Sequence, residues 1–190
     1  MEKQIEQIQL IETMIANAKG NIGDSSVFYL LWGWLVFIAA ALNYVLLNHT
    51  SFENPWIGWM YLMILGGIIS AVLGYKKGRT KKVQTYPERA LKFLWLGFVI
   101  TLFSVLWGMG IIGIKATYPI LMLMYGLGTF VSGGILKFKP LIVGGILAWI
   151  CGIIAFYCSF SYQLLLIMLA ILFSYIIPGH MMAQSKESYV

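Results

Sequence analysis

"VFYLLWGWLVFIAAALNYVLL", residues 27–47, is an apolar run of 21 residues without a single Asp, Glu, Lys or Arg. The hydrocarbon core of a membrane is roughly 30 Å thick, and a helix of about 20 residues crosses it. This run therefore predicts a transmembrane helix. The whole chain agrees, because its mean hydropathy is +0.83 and only 11% of its residues are charged, which is far from the composition of soluble domains.

Five more apolar runs follow, and the six together fill most of the 190 residues. The predicted spans are 27–47, 56–75, 91–114, 118–136, 141–158 and 162–177. The run LWGWLVF at 31–37 resembles LWLGFVI at 94–100, which indicates a repeated unit of two helices. The sequence thus predicts an all-α integral membrane protein whose six transmembrane helices form three hairpins.

Short polar segments predict where helices begin and end. GNIGD at 20–24 predicts the end of an N-terminal helix, and TYPE at 85–88 predicts a capping box before span three. KFKP at 137–140 predicts the break between spans four and five, and PG at 178–179 predicts the end or a kink of span six. The predicted division is a helix and turn at 1–23, a six-helix bundle at 24–180, and a tail at 181–190.

The segment before the first span has the periodicity of a helix. In EKQIEQIQLIETMIANAKG, residues 2–20, the residues Ile8, Ile11, Ile15 and Ala18 recur at steps of three and four. The polar face is slightly acidic, whereas a helix that lies on a membrane surface is usually rich in Lys and Arg. The pattern predicts a short cytoplasmic amphipathic helix that packs on protein.

The basic residues predict the orientation of the chain. YKKGRTKKVQTYPERALK, residues 75–92, holds seven of the 13 Lys and Arg residues and one acid, Glu88. With six spans, twelve basic residues lie on one side of the membrane and only Lys115 lies on the other. Positive charge collects on the cytoplasmic side. The sequence therefore predicts that both termini are cytoplasmic.

The same basic surface is a candidate site for anionic lipid headgroups or for an acidic protein surface. The candidate residues are Lys76, Lys77, Arg79, Lys81, Lys82, Lys137, Lys139 and His180. An orientation signal alone would also explain the charge, so both interpretations stay open. The expected partners are membrane lipids and a cytoplasmic protein or a second copy of the chain. Nucleic acid is not expected, because the loop has no helix that could read bases.

Residues that carry chemistry are scarce. None of the spans has a charged residue in its centre, where proton relays and ion-coupling sites need one. His49 and His180 fall on opposite sides, and Cys151 and Cys158 are about 10.5 Å apart along one helix, too far for a disulfide. The sequence predicts no enzyme, no metal and no cofactor. Asn43 is the candidate intramembrane polar site.

Small residues at four-residue spacing predict faces where helices pack closely. They are Gly66, Ser70 and Gly74 on span two, and Gly144, Ala148 and Gly152 on span five. Packing within one bundle is the simpler interpretation, and it is compatible with a dimer.

Five motifs together resemble a known group of proteins. They are MIANAKGNI at 14–22, LLWGWLVF at 30–37, YPERALKFLWLGF at 86–98, GGILKFKPLIVGG at 133–145 and YIIPGH at 175–180. In this order they resemble a family of small six-span membrane proteins of Bacteroidetes-type bacteria whose function is unknown. The resemblance implies a location in the inner membrane, and it supplies no activity and no functional residues.

Three functions are compatible with these features. The leading hypothesis is a non-enzymatic binding or regulatory membrane protein that acts through its cytoplasmic face. The alternatives are a transporter or channel for a neutral or lipophilic solute, with Asn43 in its pathway, and a structural lipid-binding protein. The absence of intramembrane charge favours the first and third over transport.

Overall fold

The computed structural model describes residues 2–80 and 85–187, with side chains over 25–79 and 85–184. Every secondary-structure element in these ranges is helical. In chain order the helices are α1 Glu2–His49, α2 Ile57–Thr80, α3 Tyr86–Trp107, α4 Met109–Ile112, α5 Ile114–Leu136, α6 Lys139–Ala155, α7 Phe160–Ile171 and α8 Ile177–Glu187. A π-helical segment, Leu172–Ile176, joins α7 to α8 without a break.

Five stretches are long and apolar enough to cross a membrane. They are Ser25–His49, Ile57–Arg79, Tyr86–Trp107, Ile114–Leu136 and Phe160–Gln184. The remaining apolar helix, α6, has 17 residues, or about 26 Å at 1.5 Å per residue. Among the described residues five helices, not six, have the full length of a crossing, and the protein is thus a helical, multi-pass membrane protein.

The core lies between α1, α5, α6 and the continuous α7–α8 unit. α6 runs antiparallel to α5, and α7–α8 returns between α1 and α6. α2 packs on α1, and α3 packs on α5. Because α7–α8 packs on α1 as well as on α6, three separate hairpins are not confirmed. We call the end at which α2, α5 and α8 finish and α3 and α6 begin the basic end.

α1 is one unbroken helix of 48 residues. The predicted turn at residues 20–24 is therefore wrong, and the division at residue 23 does not follow a helix end. A glycine inside a helix costs about 1 kcal/mol relative to alanine, which is too little to stop a helix that an apolar run continues. The amphipathic and cytoplasmic character of the part before Ser25 stays a prediction.

The third span ends earlier than predicted. α3 stops at Trp107 instead of residue 114, α4 is a single turn, and residues 115–117, predicted as a loop, lie in the first turn of α5. The chain turns at Gly113, whose φ is 83°. Glycine adopts this left-handed region without steric penalty. The turn is therefore made at glycine and not at Lys115.

The sequence predicted an end or a kink of span six at residues 178–179. The helix does not end there, because it continues to Glu187. Proline lacks an N–H and its ring clashes with the carbonyl four residues back. The turn before Pro178 is wider than an α turn, since the Ile177 N–H bonds to the carbonyl of Leu172, five residues back. We infer that this π turn makes room for the proline ring.

Two predicted boundaries are confirmed. Glu88 accepts a 3.1 Å hydrogen bond from the backbone N–H of Thr85, and α3 begins at the next residue in a capping box. α5 ends where Lys137 adopts the left-handed conformation, with φ of 53°. Pro140 follows in the first turn of α6, where its missing N–H has no helical partner to lose.

Candidate functional site

Asn43 is buried near the end of the bundle opposite the basic end. In the amide orientation that satisfies both of its ends, the nitrogen donates to the carbonyl of Pro55 at 3.2 Å and the oxygen accepts from the indole N–H of Trp59 at 3.0 Å. The Tyr118 hydroxyl lies 3.5 Å from the amide oxygen in this orientation. Asn43 therefore ties α1 to the start of α2 and lies beside the start of α5.

Gln163, which the sequence analysis did not single out, is fully buried at the same end. Its side-chain nitrogen donates to the carbonyl of Lys115 at 2.8 Å and to that of Ala155 at 2.9 Å. It thus holds the start of α5, the end of α6 and α7 together. Its signal in the sequence is a lone glutamine in an apolar run.

The predicted cationic residues that the structure describes gather at the basic end. Those of segment 76–79 lie near the end of α2, and those of 137–139 lie at the turn from α5 to α6. The Arg79 guanidinium stands 5.0 Å from the centre of the Tyr75 ring, a cation–π contact. Residues 81–82, also predicted to take part, lie outside the described residues.

His180 lies beside α1 instead of projecting from the end of a helix. Its Nδ1 donates to the carbonyl of Ile176 at 2.8 Å, and its ring meets the Trp34 ring edge-on at 6.5 Å. His180 is therefore oriented by its own helix and by α1.

The small residues predicted to mark packing differ between the two helices. Those of α6 are all buried, namely Gly144, Ala148 and Gly152. On α2, Gly66 packs against Trp32 and Leu35, whereas Gly74 faces open space. Ser70, between these glycines, is half-buried. The small residues of α6 therefore contact neighbouring helices along the whole face. On α2 the close contact is mainly at Gly66.

A shallow apolar groove of about 490 Å³ lies on the outside of the bundle between α5 and α6. Trp149 forms part of it and donates its indole N–H to the Leu123 carbonyl at 3.0 Å. Lining atoms are almost all apolar. The groove offers contact to a lipid chain and no polar group that would select one.

Five aromatic side chains meet in the half of the bundle nearer the basic end. This inner aromatic cluster consists of Tyr29 on α1, Trp95 and Phe98 on α3, Tyr125 on α5 and Tyr175 in the π-helical segment. Neighbouring ring centroids lie 5.2 to 6.1 Å apart, mostly edge to face or tilted, as aromatic pairs prefer. Tyr175 contacts the rings of Tyr29, Trp95 and Tyr125, so it lies at the centre.

Three hydroxyls at this cluster have no hydrogen-bond partner among the described residues, those of Tyr29, Ser132 and Tyr175. The three side chains are at most 3% exposed. The Tyr29 hydroxyl is directed toward Ser132 and Trp95, without the geometry of a hydrogen bond. A buried hydroxyl left unpaired costs about 1 to 3 kcal/mol. Three at one place are therefore unusual in a native protein.

The π-helical segment fixes the position of Tyr175. Glycines on both neighbouring helices let its backbone come close. A Cβ on Gly33 of α1 would lie 3.0 Å from the Tyr175 Cβ, and a Cβ on Gly144 of α6 would overlap the Phe173 carbonyl oxygen. π turns within α-helices occur often at functional sites. This one is held between two glycines and carries an aromatic residue with an unpaired hydroxyl.

The sequence analysis did not find this cluster. Its tyrosines lie in apolar runs, where they are indistinguishable from core or interfacial aromatics. The available signal was Pro178, which we took as a helix end or a kink and which follows the π turn.

Comparisons with protein families, curated proteins and solved structures found no match for the chain. A function is therefore argued from the geometry alone.

Proposed function

We propose that the chain is a non-enzymatic binding or regulatory protein of the bacterial inner membrane that acts through the basic end of its bundle. The observation that supports this most is the collection of basic side chains from α2, α3 and the α5–α6 turn at one end. A Lys or Arg near an anionic membrane surface contributes about 1 kcal/mol of attraction. The partners proposed are anionic lipids and an acidic cytoplasmic protein or a second copy of the chain.

The first helix continues beyond its membrane-length apolar window at this end of the bundle. α1 has 48 residues, and its apolar window begins at Ser25. The part before this window extends for about 35 Å at 1.5 Å per residue. Because the helix is continuous, a partner that binds this part would be connected to the α1 residues of the core by one helix.

We further propose six crossings with both termini in the cytoplasm. α6 is short, but it carries the chain along α5, from the contact of Gly133 with Ile142 to that of Gly152 with Met122. α7 then starts at the opposite end, where Gln163 bonds to the Lys115 carbonyl. Positive charge at the basic end supports a cytoplasmic location for that end.

Transport through a pathway at Asn43 receives no support from the geometry. Both ends of its amide have protein partners at hydrogen-bonding distance, so a solute would have to break bonds that hold α1 to α2. The third hypothesis, a structural lipid-binding protein, also predicts that anionic lipids bind at the basic end.

The proposal is tested by replacing Lys76, Lys77, Lys81 and Lys82 with Gln in the full chain, while Arg79, Arg89 and Lys92 stay. Native mass spectrometry would count phosphatidylglycerol and phosphatidylcholine molecules retained in detergent. We expect retention of the anionic lipid to fall several-fold and to be salt-sensitive in the parent, since the Debye length shrinks from about 10 Å at 0.1 M to about 3 Å at 1 M. Lys115→Gln, at the opposite end, is the control. If both variants retained the anionic lipid equally, the basic charge would serve only to orient the chain.

Topology is tested with single cysteines in a chain whose Cys151 and Cys158 are replaced by Ala. A cysteine at exposed Asn48 should react with an impermeant reagent added to intact cells, and one at exposed Gly78 should not. Labelling of both or the reverse pattern would contradict the proposed orientation.

A further inference from the structure

We propose that the inner aromatic cluster binds the carbonyl or hydroxyl group of a neutral, lipophilic molecule that enters from the bilayer. The hydroxyls of Tyr29, Ser132 and Tyr175 come from α1, α5 and the π-helical segment, and all three lack a partner among the described residues. No charged side chain belongs to the cluster, so none competes for these hydroxyls. The site lies within the membrane and does not depend on binding at the basic end.

The other hydroxyls within the helices show how unusual this is. A serine or threonine in a helix normally donates to the carbonyl four residues back. Thr101, Ser104, Thr117, Thr129 and Ser174 all do so, at 2.6 to 3.0 Å. Ser132, one turn from Thr129 on the same helix, does not. Ser70 is a second exception, but it stands apart on α2. At the cluster, an unpaired serine joins two unpaired tyrosines.

The chemistry of the walls selects the class of ligand. Trp95, Phe98 and Tyr125 surround the hydroxyls with aromatic carbon, a setting in which a charged group would lose its hydration without a counter-charge. A carbonyl accepts hydrogen bonds from tyrosine and serine hydroxyls, and a hydroxyl group both accepts and donates. The ligand is therefore neutral, with an apolar body and one such group.

α3 provides the route of entry. Leu91 is the single buried residue of α3, and the other contacts of the helix with the core are made by partly buried residues. Trp95 and Phe98, both half-buried, are its contribution to the cluster. A Cβ on Gly128 of α5 would lie 3.3 Å from the Trp95 ring, so the ring rests on a glycine on the α5 side. Entry from the lipid side therefore requires the Trp95 ring to move away from the rings of Tyr29 and Tyr175 that it contacts.

The test uses a benzophenone that carries an alkyl chain, because its ketone is both the hydrogen-bond acceptor and the photoreactive group. The detergent-solubilised full chain is irradiated with this probe, and labelled peptides are mapped by mass spectrometry. We expect saturable labelling near Tyr29, Trp95 and Tyr175. An unlabelled diaryl ketone should compete, and the corresponding diphenylmethane, which lacks the carbonyl, should compete about tenfold more weakly, or about 1.4 kcal/mol, the order of one hydrogen bond.

The deciding variant is Tyr29→Phe/Tyr175→Phe, which removes two hydroxyls and keeps both rings. Its saturable labelling should fall about tenfold or more, while its thermal stability without probe should equal or exceed that of the parent, because two unpaired buried hydroxyls are gone. Tyr61→Phe/Tyr162→Phe, at exposed tyrosines, is the matched control and should label as the parent does.

Three results would overturn the proposal. Labelling that is uniform along the lipid-facing helices would show no site. Unchanged labelling in the Tyr29→Phe/Tyr175→Phe variant would show that the hydroxyls do not bind the ketone. A marked loss of stability in that variant would show that the hydroxyls serve the fold, through a bound water, and not a ligand.

Discussion

The peripheral pair α2 and α3 and the central helix α5 differ in a way that hydropathy does not anticipate. The apolar windows of α2 and α3 have a mean hydropathy of 1.9, yet 6% and 0% of their residues are buried. The window of α5 has a lower value of 1.6, and half of it is buried. In a bilayer the surroundings are as apolar as the protein interior, so hydropathy does not drive helices together.

Backbone proximity distinguishes the buried helix from the peripheral ones. A Cβ on Gly145 of α6 would lie 2.7 Å from the Phe130 nitrogen and 2.8 Å from the Gly126 carbonyl oxygen, both on α5. On α2, a Cβ at Gly66 would approach the tip of Leu35 and the Trp32 ring, which are side-chain atoms that have room to move. Small residues thus build the centre, and side-chain contacts attach the periphery.

The largest effect is expected where backbones touch. Gly145→Ala places a methyl group against the backbone of α5, and overpacking of this kind destabilises by about 2 to 3 kcal/mol. Thermal unfolding in detergent, with folded protein measured by size exclusion, would show the loss. Gly66→Ala, which meets only side chains, is the matched variant and should lose clearly less. Equal losses would remove the distinction between backbone and side-chain contact.

An intermediate effect is expected where a polar bond attaches α2 to α1. Asn43→Leu removes the acceptor of the Trp59 indole N–H and the donor to the Pro55 carbonyl, and a buried group left unpaired costs about 1 to 3 kcal/mol. Unfolding measurements should show this loss, whereas Asn54→Ala, at an exposed position, should change stability little. A neutral Asn43→Leu variant would show that α2 is held by packing alone.

The smallest effect has the opposite sign. Nothing lies within 4 Å of a Cβ built at Gly67 on α2 or at Gly97 on α3. Gly67→Ala and Gly97→Ala should therefore be neutral or stabilising by up to about 1 kcal/mol, the helix-propensity difference. A destabilised Gly97→Ala protein would mean that α3 has a contact, with lipid or with another chain, that its surroundings in the bundle do not show.

The comparison also explains which parts of the fold the sequence predicted. Apolar runs and the capping box near Glu88 located most helices, because length and caps are local properties. Glycine at residues 20–24 was taken as a helix end and proline at 178 as a helix end or a kink, and no helix ends at either place. Whether such a residue ends a helix depends on what packs beside it, and for Pro178 on the wider turn before it.

The candidate site was harder to predict for a related reason. Asn43 was recognisable as a lone amide in an apolar run, but its partners Pro55 and Trp59 depend on how α2 returns along α1. Tyr29 and Tyr175 are 146 positions apart in the chain, and their rings meet only because the π-helical segment packs on α1. The spacing of residues along one helix does not predict a contact between side chains of different helices.

The length of α6 has a consequence for the membrane itself. With 17 residues it spans about 26 Å, whereas the Phe160–Gln184 stretch beside it has 25 residues. Val143, Ile146, Ile150 and Ile153 form an exposed apolar side of α6, and a hydrophobic stretch shorter than the bilayer draws the surrounding lipid thinner. The bilayer should thus be thinnest along this flank, and short-chain lipids should be enriched there relative to the flank of α2 and α3.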